Sequence, residues 1–346
     1  MHCRLSFGNA NFFSNYTVGP TGILHLEADR LNPGYVIFTD YGGLTSTNGH
    51  QIINVAGKIG TLGFEDGPVA TALFEGLVWS FVHINNTHLI VADTQNNCLR
   101  LVNRADNVVT TYAGKCKHRG NKAGNLSEAR LKEPRYLTWG LGAYSDRLYV
   151  EDFHAVRYIY NDFVWTFLKD KNTFLDINGM AFDTASENKM LFTTTNFIKS
   201  MVVVPYGRPL VTVFEAKESL KVYSLSNRVD RDGPFSDGLV PGKSNMIALA
   251  KNVYVKTGLA GTLRVIDLKK KGFSSICKNY DNGFSFHPGS ISACQLPYVT
   301  SVGMAGNILY AGGKYGIYGI QGKRAREREL LHLFKISALN SNVLVL

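Results

Sequence analysis

Short apolar runs recur along the chain, and each ends in a small, acidic, basic or hydroxyl residue. They are Val36-Ile37-Phe38-Thr39-Asp40, Leu89-Ile90-Val91-Ala92-Asp93, Leu148-Tyr149-Val150-Glu151-Asp152, Met190-Leu191-Phe192-Thr193-Thr194, Val253-Tyr254-Val255-Lys256 and Ile308-Leu309-Tyr310-Ala311-Gly312. Runs this short, rich in β-branched and aromatic residues, predict strands rather than helices. Several lead into a second strand, a polar turn and a third strand. The clearest case is Cys98 to Val102, a turn from Asn103 to Asn107, then Val108 to Gly114. His50 to Gly57 is a compressed version, and Thr262 to Asp267 followed by Phe273 to Cys277 is another.

Longer connections between these groups share a signature of their own. Phe64-Glu65-Asp66-Gly67 followed by Ala72-Leu73-Phe74 matches Ala123-Gly124, Ala129-Arg130-Leu131 and Pro134, and again Pro288-Gly289 with Ala293 to Pro297. A partial copy is expected at Asp237-Gly238. The Gly pairs form turns, and the small residue followed by an apolar one can tuck the connection against a sheet. The spacing is 53 residues from Asp40 to Asp93 and 59 from Asp93 to Asp152, enough for four short strands and a loop. A four-stranded sheet cannot cover both its faces alone, so successive sheets must pack radially. Six such units predict an all-β fold, a six-bladed β-propeller of four-stranded antiparallel blades. The ring is expected to occupy residues 1–322, with a strand from residues near 20–30 closing the last blade. Residues 323–346, basic and then apolar, break the pattern and are expected to form an extension outside it.

The segment Val91-Ala92-Asp93-Thr94-Gln95-Asn96-Asn97-Cys98-Leu99-Arg100, with Val109-Thr110-Thr111-Tyr112-Ala113-Gly114 after it, resembles the NHL repeat. The likeness is recognisable over residues 36–134 and fades in the later units. A strand-ending Asp can accept backbone N–H bonds and pair with an Arg in the next strand. Asp93 with Arg100 and Asp152 with Arg157 are therefore expected to fix blade corners rather than to catalyse. The resemblance implies a binding module, usually one part of a larger secreted or surface protein. It also leaves two rivals: cytoplasmic NHL propellers that bind single-stranded RNA, and metal-dependent propeller lyases or hydrolases such as peptidyl-hydroxyglycine amidating lyase.

Composition sharpens the compartment and the chemistry. The 346 residues are 45% hydrophobic and 18% charged, with no apolar run long enough to span a membrane. The opening segment Met1 to Gly8 lacks the apolar stretch of a secretory leader. Cys98 lies close in sequence to Cys116, and Cys277 to Cys294. As bridges, these pairs would look like those of extracellular NHL propellers; as free buried thiols they would suit a cytoplasmic protein. Sequons at Asn15, Asn85 and Asn125 favour the extracellular or luminal side.

The net charge is +10, and Lys115, Lys117, Arg119 and Lys122 cluster in one connection. They are the candidate binding residues for a protein or an anionic glycan, with RNA the alternative partner. Nine histidines show no H-x-H or H-E-x-x-H pattern and do not recur at one blade position. His83 and His154 come nearest to the rim of a central channel. No metal, cofactor or catalytic residue is expected.

Overall fold

A computed structural model describes residues 22–76 and 78–169, and between 177 and 321 it describes the strands and a few flanking residues. The described strands form six antiparallel sheets in chain order. The first holds β1 (Leu26–Ala28), β2 (Val36–Asp40), β3 (Gly43–Thr47) and β4 (Ile52–Ala56). The second holds β5 (Gly67–Pro68), β6 (Val78–His83), β7 (His88–Asp93), β8 (Cys98–Asn103) and β9 (Val108–Ala113). The third holds β10 (Gly124–Asn125), β11 (Pro134–Trp139), β12 (Leu148–Asp152), β13 (Ala155–Tyr160) and β14 (Phe163–Lys169). The fourth sheet lies between Gly179 and Glu215, the fifth between Gly233 and Ile276, and the sixth between Val299 and Gln321.

Each sheet packs on the next, and the sixth packs on the first through β1 and Val299–Ala305. Contacts between sheets run mainly through their first full strands, such as β6 with β11, so these strands line the inside of the ring. The hydrophobic core is accordingly divided into layers between sheets. Phe74, Phe81 and Val91 belong to the layer joining the first two sheets, and Ala92, Leu131 and Val150 to the layer joining the second and third. Tyr149, Met180 and Phe192 fill the layer before the fourth sheet. Ile23, Leu26, Phe38 and Tyr310 fill the layer joining the last sheet to the first.

Two expectations need correcting. The sheets are not uniformly four-stranded: their described strands number four, five, five, four, five and three. The additional strands are two-residue pieces of the connections, laid along the outer strand of the sheet they lead into. Residues Leu26–Ala28, expected in the last blade, pair instead with β2 as the first strand of the first sheet. They still meet the last sheet, but face to face, and Thr300 Oγ1 donates to the Ile23 carbonyl at 2.5 Å.

The connection signature has a backbone cause. Gly67, Gly124 and Gly233 open the three short strands with φ of +144°, +156° and +142°, a region that side-chain-bearing residues rarely adopt. The copy expected at Asp237-Gly238 lies outside the described residues, and Gly233–Pro234 occupies that place instead. Ala72, Phe74, Ala129 and Leu131 are fully buried, as the tucked-in reading requires.

A second regularity, in the first four sheets, is a shift of register between the last two strands. It falls between Leu44 and Thr45, Leu99 and Arg100, Val156 and Arg157, and Ile198 and Lys199. Val55, Tyr112, Phe167 and Val213 are the extra residues on the opposing strands, so each outer strand bends at a bulge.

Candidate functional site

The strand-ending acids and their arginines meet as the sequence suggests. Arg100 is fully buried on β8 and donates from Nη1 to Asp93 Oδ2 at 2.9 Å and to the Leu73 carbonyl at 3.0 Å. Its Nε and Nη2 donate to Asp66 Oδ1 at 3.0 and 2.7 Å, and Nη2 also reaches the Glu65 carbonyl at 2.7 Å. These five bonds use every N–H of the guanidinium. Phe64 and Phe74 each place a ring centroid 4.9 Å from it. Asp66 was not foreseen as a partner, although the Phe-Glu-Asp-Gly signature is built around this contact. Arg157 repeats the design with Asp152 at 3.2 Å and hydrogen bonds to Thr166 and Asn121. Burial pushes Asp93 and Asp152 up to about 6 against the pull of their arginines. Every charge here is committed to holding a connection against its sheet.

The asparagine-rich turn after β7 is also structural. Thr94 Oγ1 donates to the Pro134 carbonyl at 2.6 Å, Asn96 Nδ2 to the Gly63 carbonyl at 2.9 Å, and Asn97 Oδ1 accepts from Glu133 N at 3.2 Å. These bonds fasten the second sheet to the connections on either side of it.

The connection carrying Lys115, Lys117, Arg119 and Lys122 is ordered by three ties. Cys98 and Cys116 form a disulfide with Cα atoms 5.0 Å apart. Lys117 N donates to the Asn96 carbonyl at 2.7 Å, and Lys122 and Arg130 exchange backbone bonds at 3.1 and 3.0 Å. The four basic side chains are all on exposed residues. Lys117 lies over Phe64 at 5.8 Å, while Arg119 and Lys132 both lie over Phe153 at 5.2 and 3.9 Å. Arg119 also pairs with Glu133, which in turn pairs with Arg135. Cys277 and Cys294 lie outside the described residues.

Toward the ring interior the chain of contacts continues. Arg135 on β11 lies over the Trp79 indole of β6 at 5.1 Å, and Trp79 meets Tyr136 edge-on at 5.9 Å. Glu151, one residue before the corner acid Asp152, is buried, and burial raises its carboxyl to about 8 despite the opposing charge of Arg135. The sequence had grouped Glu151 only with the strand-ending acids.

The histidines follow a different pattern from the one expected. His83 ends β6 and its Nε2 meets the Ala28 carbonyl at 2.9 Å, with Glu27 Oε2 3.9 Å away. His25, which the sequence did not single out, accepts from Phe81 N at Nδ1 and turns Nε2 toward Glu27 Oε1 at 3.4 Å. His25 Nδ1 and His83 Nε2 are thus engaged, while His83 Nδ1 is buried without a hydrogen-bond partner among the described residues. Among the described residues no group of three His, Cys, Asp or Glu side chains could hold a metal ion. His154 sits in a turn against Phe153, with ring centroids 4.0 Å apart.

Two sequons are described. Asn85 and Asn125 are exposed, and Thr87 Oγ1 donates to Asn85 Oδ1 at 3.1 Å; Asn15 lies outside the described residues. No helix among the described residues is long and apolar enough to cross a membrane.

No family model matches the chain, and no curated relative matches it. Among solved structures it is similar to an auxiliary nutrient binding protein from Bacteroides ovatus, with 10% identity over 87% of this chain and 69% of that one and a TM-score of 0.62. It is similar to a gluconolactonase from Xanthomonas campestris, with 12% identity over 87% and 86% of the two chains and a TM-score of 0.55. A streptogramin B lyase aligns with 12% identity over 89% and 95%, at a TM-score of 0.50. These likenesses show an all-β propeller fold.

Proposed function

We propose that the protein is a non-catalytic NHL-like propeller, its six sheets forming six blades, that binds an anionic glycan on the face carrying residues 115–133. The observation behind this reading is the set of cations held on aromatic rings: Lys117 on Phe64, and Arg119 and Lys132 on Phe153. Their loop is tied down by the Cys98–Cys116 bridge, so little ordering entropy is lost when a ligand binds. The bridge and the sequons suit an extracellular or luminal setting. Binding is the role named for the Bacteroides ovatus protein, and catalysis for the lactonase and the lyase; the shared fold does not choose between them.

Heparin binding by the full chain tests the reading. Affinity should fall steeply with salt, and replacing Lys115, Lys117 and Lys122 by Gln should weaken it about tenfold or more. Unchanged affinity in that variant removes the reading. A second reading, single-stranded RNA, draws on the same cation and aromatic pairs; oligouridylate displacing heparin at physiological salt favours it. Stoichiometric zinc in the purified protein would revive a metal-dependent enzyme.

A further inference from the structure

The third sheet differs from the second and fifth in one row of residues. The two-residue strands of the connections end in Pro68 and Pro234 in those two sheets and in Asn125 in the third. Pro68 stands opposite Val108 and Pro234 opposite Gly272, whereas Asn125 stands opposite Phe163, which faces Tyr160 on β13. Two positions further along β14, Trp165 pairs with Tyr158, where the corresponding residues of the other two sheets are the exposed Thr110 and Ser274. Directly opposed side chains of an antiparallel ladder share a face, so Asn125, Phe163, Tyr160, Trp165 and Tyr158 all project from one side of the sheet.

This face is open. Trp165 is 42% exposed, the one exposed tryptophan of three, and Asn125 is exposed as well. The indole lies 4.4 Å from the Phe163 ring and is stacked 6.2 Å from the Tyr158 ring, with 13° between their planes. Arg147 lies against Tyr158 and Tyr160 at 5.7 and 5.0 Å, which holds these rings in place. An exposed indole flanked by two rings is apolar surface that folding leaves uncovered. Asn125 begins the sequon Asn125-Leu126-Ser127. Its carbonyl accepts from Glu128 N and Ala129 N, both at 2.9 Å, so the backbone is held in a turn while the residue stays exposed.

We propose that Asn125 carries an N-linked glycan whose first N-acetylglucosamine residues lie on the platform made by Phe163 and Trp165. In the transfer, Asn125 Nδ2 forms a bond to the anomeric carbon of the sugar and loses a proton. The bond from that carbon to the diphosphate of a lipid carrier breaks and leaves its electron pair on the diphosphate. Attachment fixes the occupant: Cβ atoms of opposed residues lie roughly 5 Å apart and diagonal ones roughly 7–8 Å, so a sugar on Asn125 starts beside Phe163 and within reach of Trp165. The C–H face of a pyranose carries partial positive charge, which matches the negative face of an aromatic ring. The inference rests on the extracellular or luminal setting proposed above and not on the basic face, since Lys115, Lys117 and Lys122 take no part in it.

The test secretes the full chain from cultured animal cells behind an added leader. Peptide mass mapping after enzymatic release of N-glycans in heavy-oxygen water should find position 125 as labelled Asp. Acrylamide quenching of tryptophan fluorescence should lose its most accessible component in the glycosylated protein and regain it in Asn125→Gln. Ser127→Ala, which removes the sequon and keeps Asn125, should behave as Asn125→Gln, while Asn85→Gln should leave Trp165 shielded. The thermal midpoint should fall by about 2 °C in Asn125→Gln, and the same change made in Trp165→Ser should leave it where it was. Asn125 left unmodified overturns the proposal: with the Cys98–Cys116 bridge intact it fails alone, and with both thiols free the extracellular reading fails with it. A glycan that leaves Trp165 as accessible as in Asn125→Gln also overturns it, as does a dimer of the glycosylated protein that is lost in Trp165→Ser, which would give the face to a second copy.

Discussion

Arg100 shows what a single side chain contributes. With five hydrogen bonds and no exposure, it gathers the corner acid Asp93, the connection acid Asp66 and two backbone carbonyls. Arg100→Met should destabilise the protein by about 3–5 kcal/mol in denaturant unfolding, because two carboxylates lose their buried partner. Two acids should give opposite pH signatures. Glu151 is raised by burial from 4.5 to about 8, so the stability it contributes is complete below pH 4.5 and lost as pH rises through 8. Thermal midpoints should therefore fall as pH rises from 4.5 to 8 and level off above it, and Glu151→Gln should flatten that fall. Burial also raises Asp29, but hydrogen bonds from Arg104, Asn32 and Ser46 outweigh it and bring the carboxyl down to about 2. Its contribution is present above pH 3.8 and disappears as pH falls through 2, which Asp29→Asn should reveal as lost acid sensitivity. The Asp93–Arg100 pair was legible because both residues sit in one repeated motif. Glu151 was not, since an apolar run does not tell which of its terminal acids turns inward.

At the level of elements, the connections carry as much design as the strands. Turn glycines and buried small residues made their outline readable at Gly67 and Gly124, where the flanking residues repeat. In the fifth sheet Asp232-Gly233-Pro234 repeats Asp66-Gly67-Pro68, but a second Asp-Gly pair, Asp237-Gly238, stands five residues on and offers the same turn. The disulfide gives the connection after β9 its fixed course. Replacing Cys98 and Cys116 by Ala should cost about 3 kcal/mol, the loop-closure value for a ring of this size. Limited trypsin digestion should then cut first at Lys115, Lys117, Arg119 or Lys122; equal resistance with and without the bridge would show that the backbone ties suffice.

For the molecule as a whole, the seam between the last and first sheets is the controlling contact. A Cβ at Gly303 would stand 2.0 Å from the Leu26 carbonyl oxygen, so the two sheets approach too closely for any side chain there. Gly303→Val should keep them apart. Its expected outcome is an early unfolding step and a larger hydrodynamic radius, read by calorimetry and small-angle scattering, and a single unshifted transition would show that the ring tolerates the gap. The propeller fold was legible from the sequence because its units repeat one hydrophobic pattern. The partner of β1 was not, because this short strand touches two sheets, pairing with β2 and packing on Val299–Ala305, and its three residues do not show which contact carries the ladder.

The bulge shared by four outer strands speaks to ancestry. An irregularity that the ladder does not demand, placed at one register beside Val55, Tyr112, Phe167 and Val213, is the kind of mark that copying preserves and convergence has no reason to reproduce. In the first four sheets the outer strand leaves the ladder at this one point, while the fifth runs through it in register.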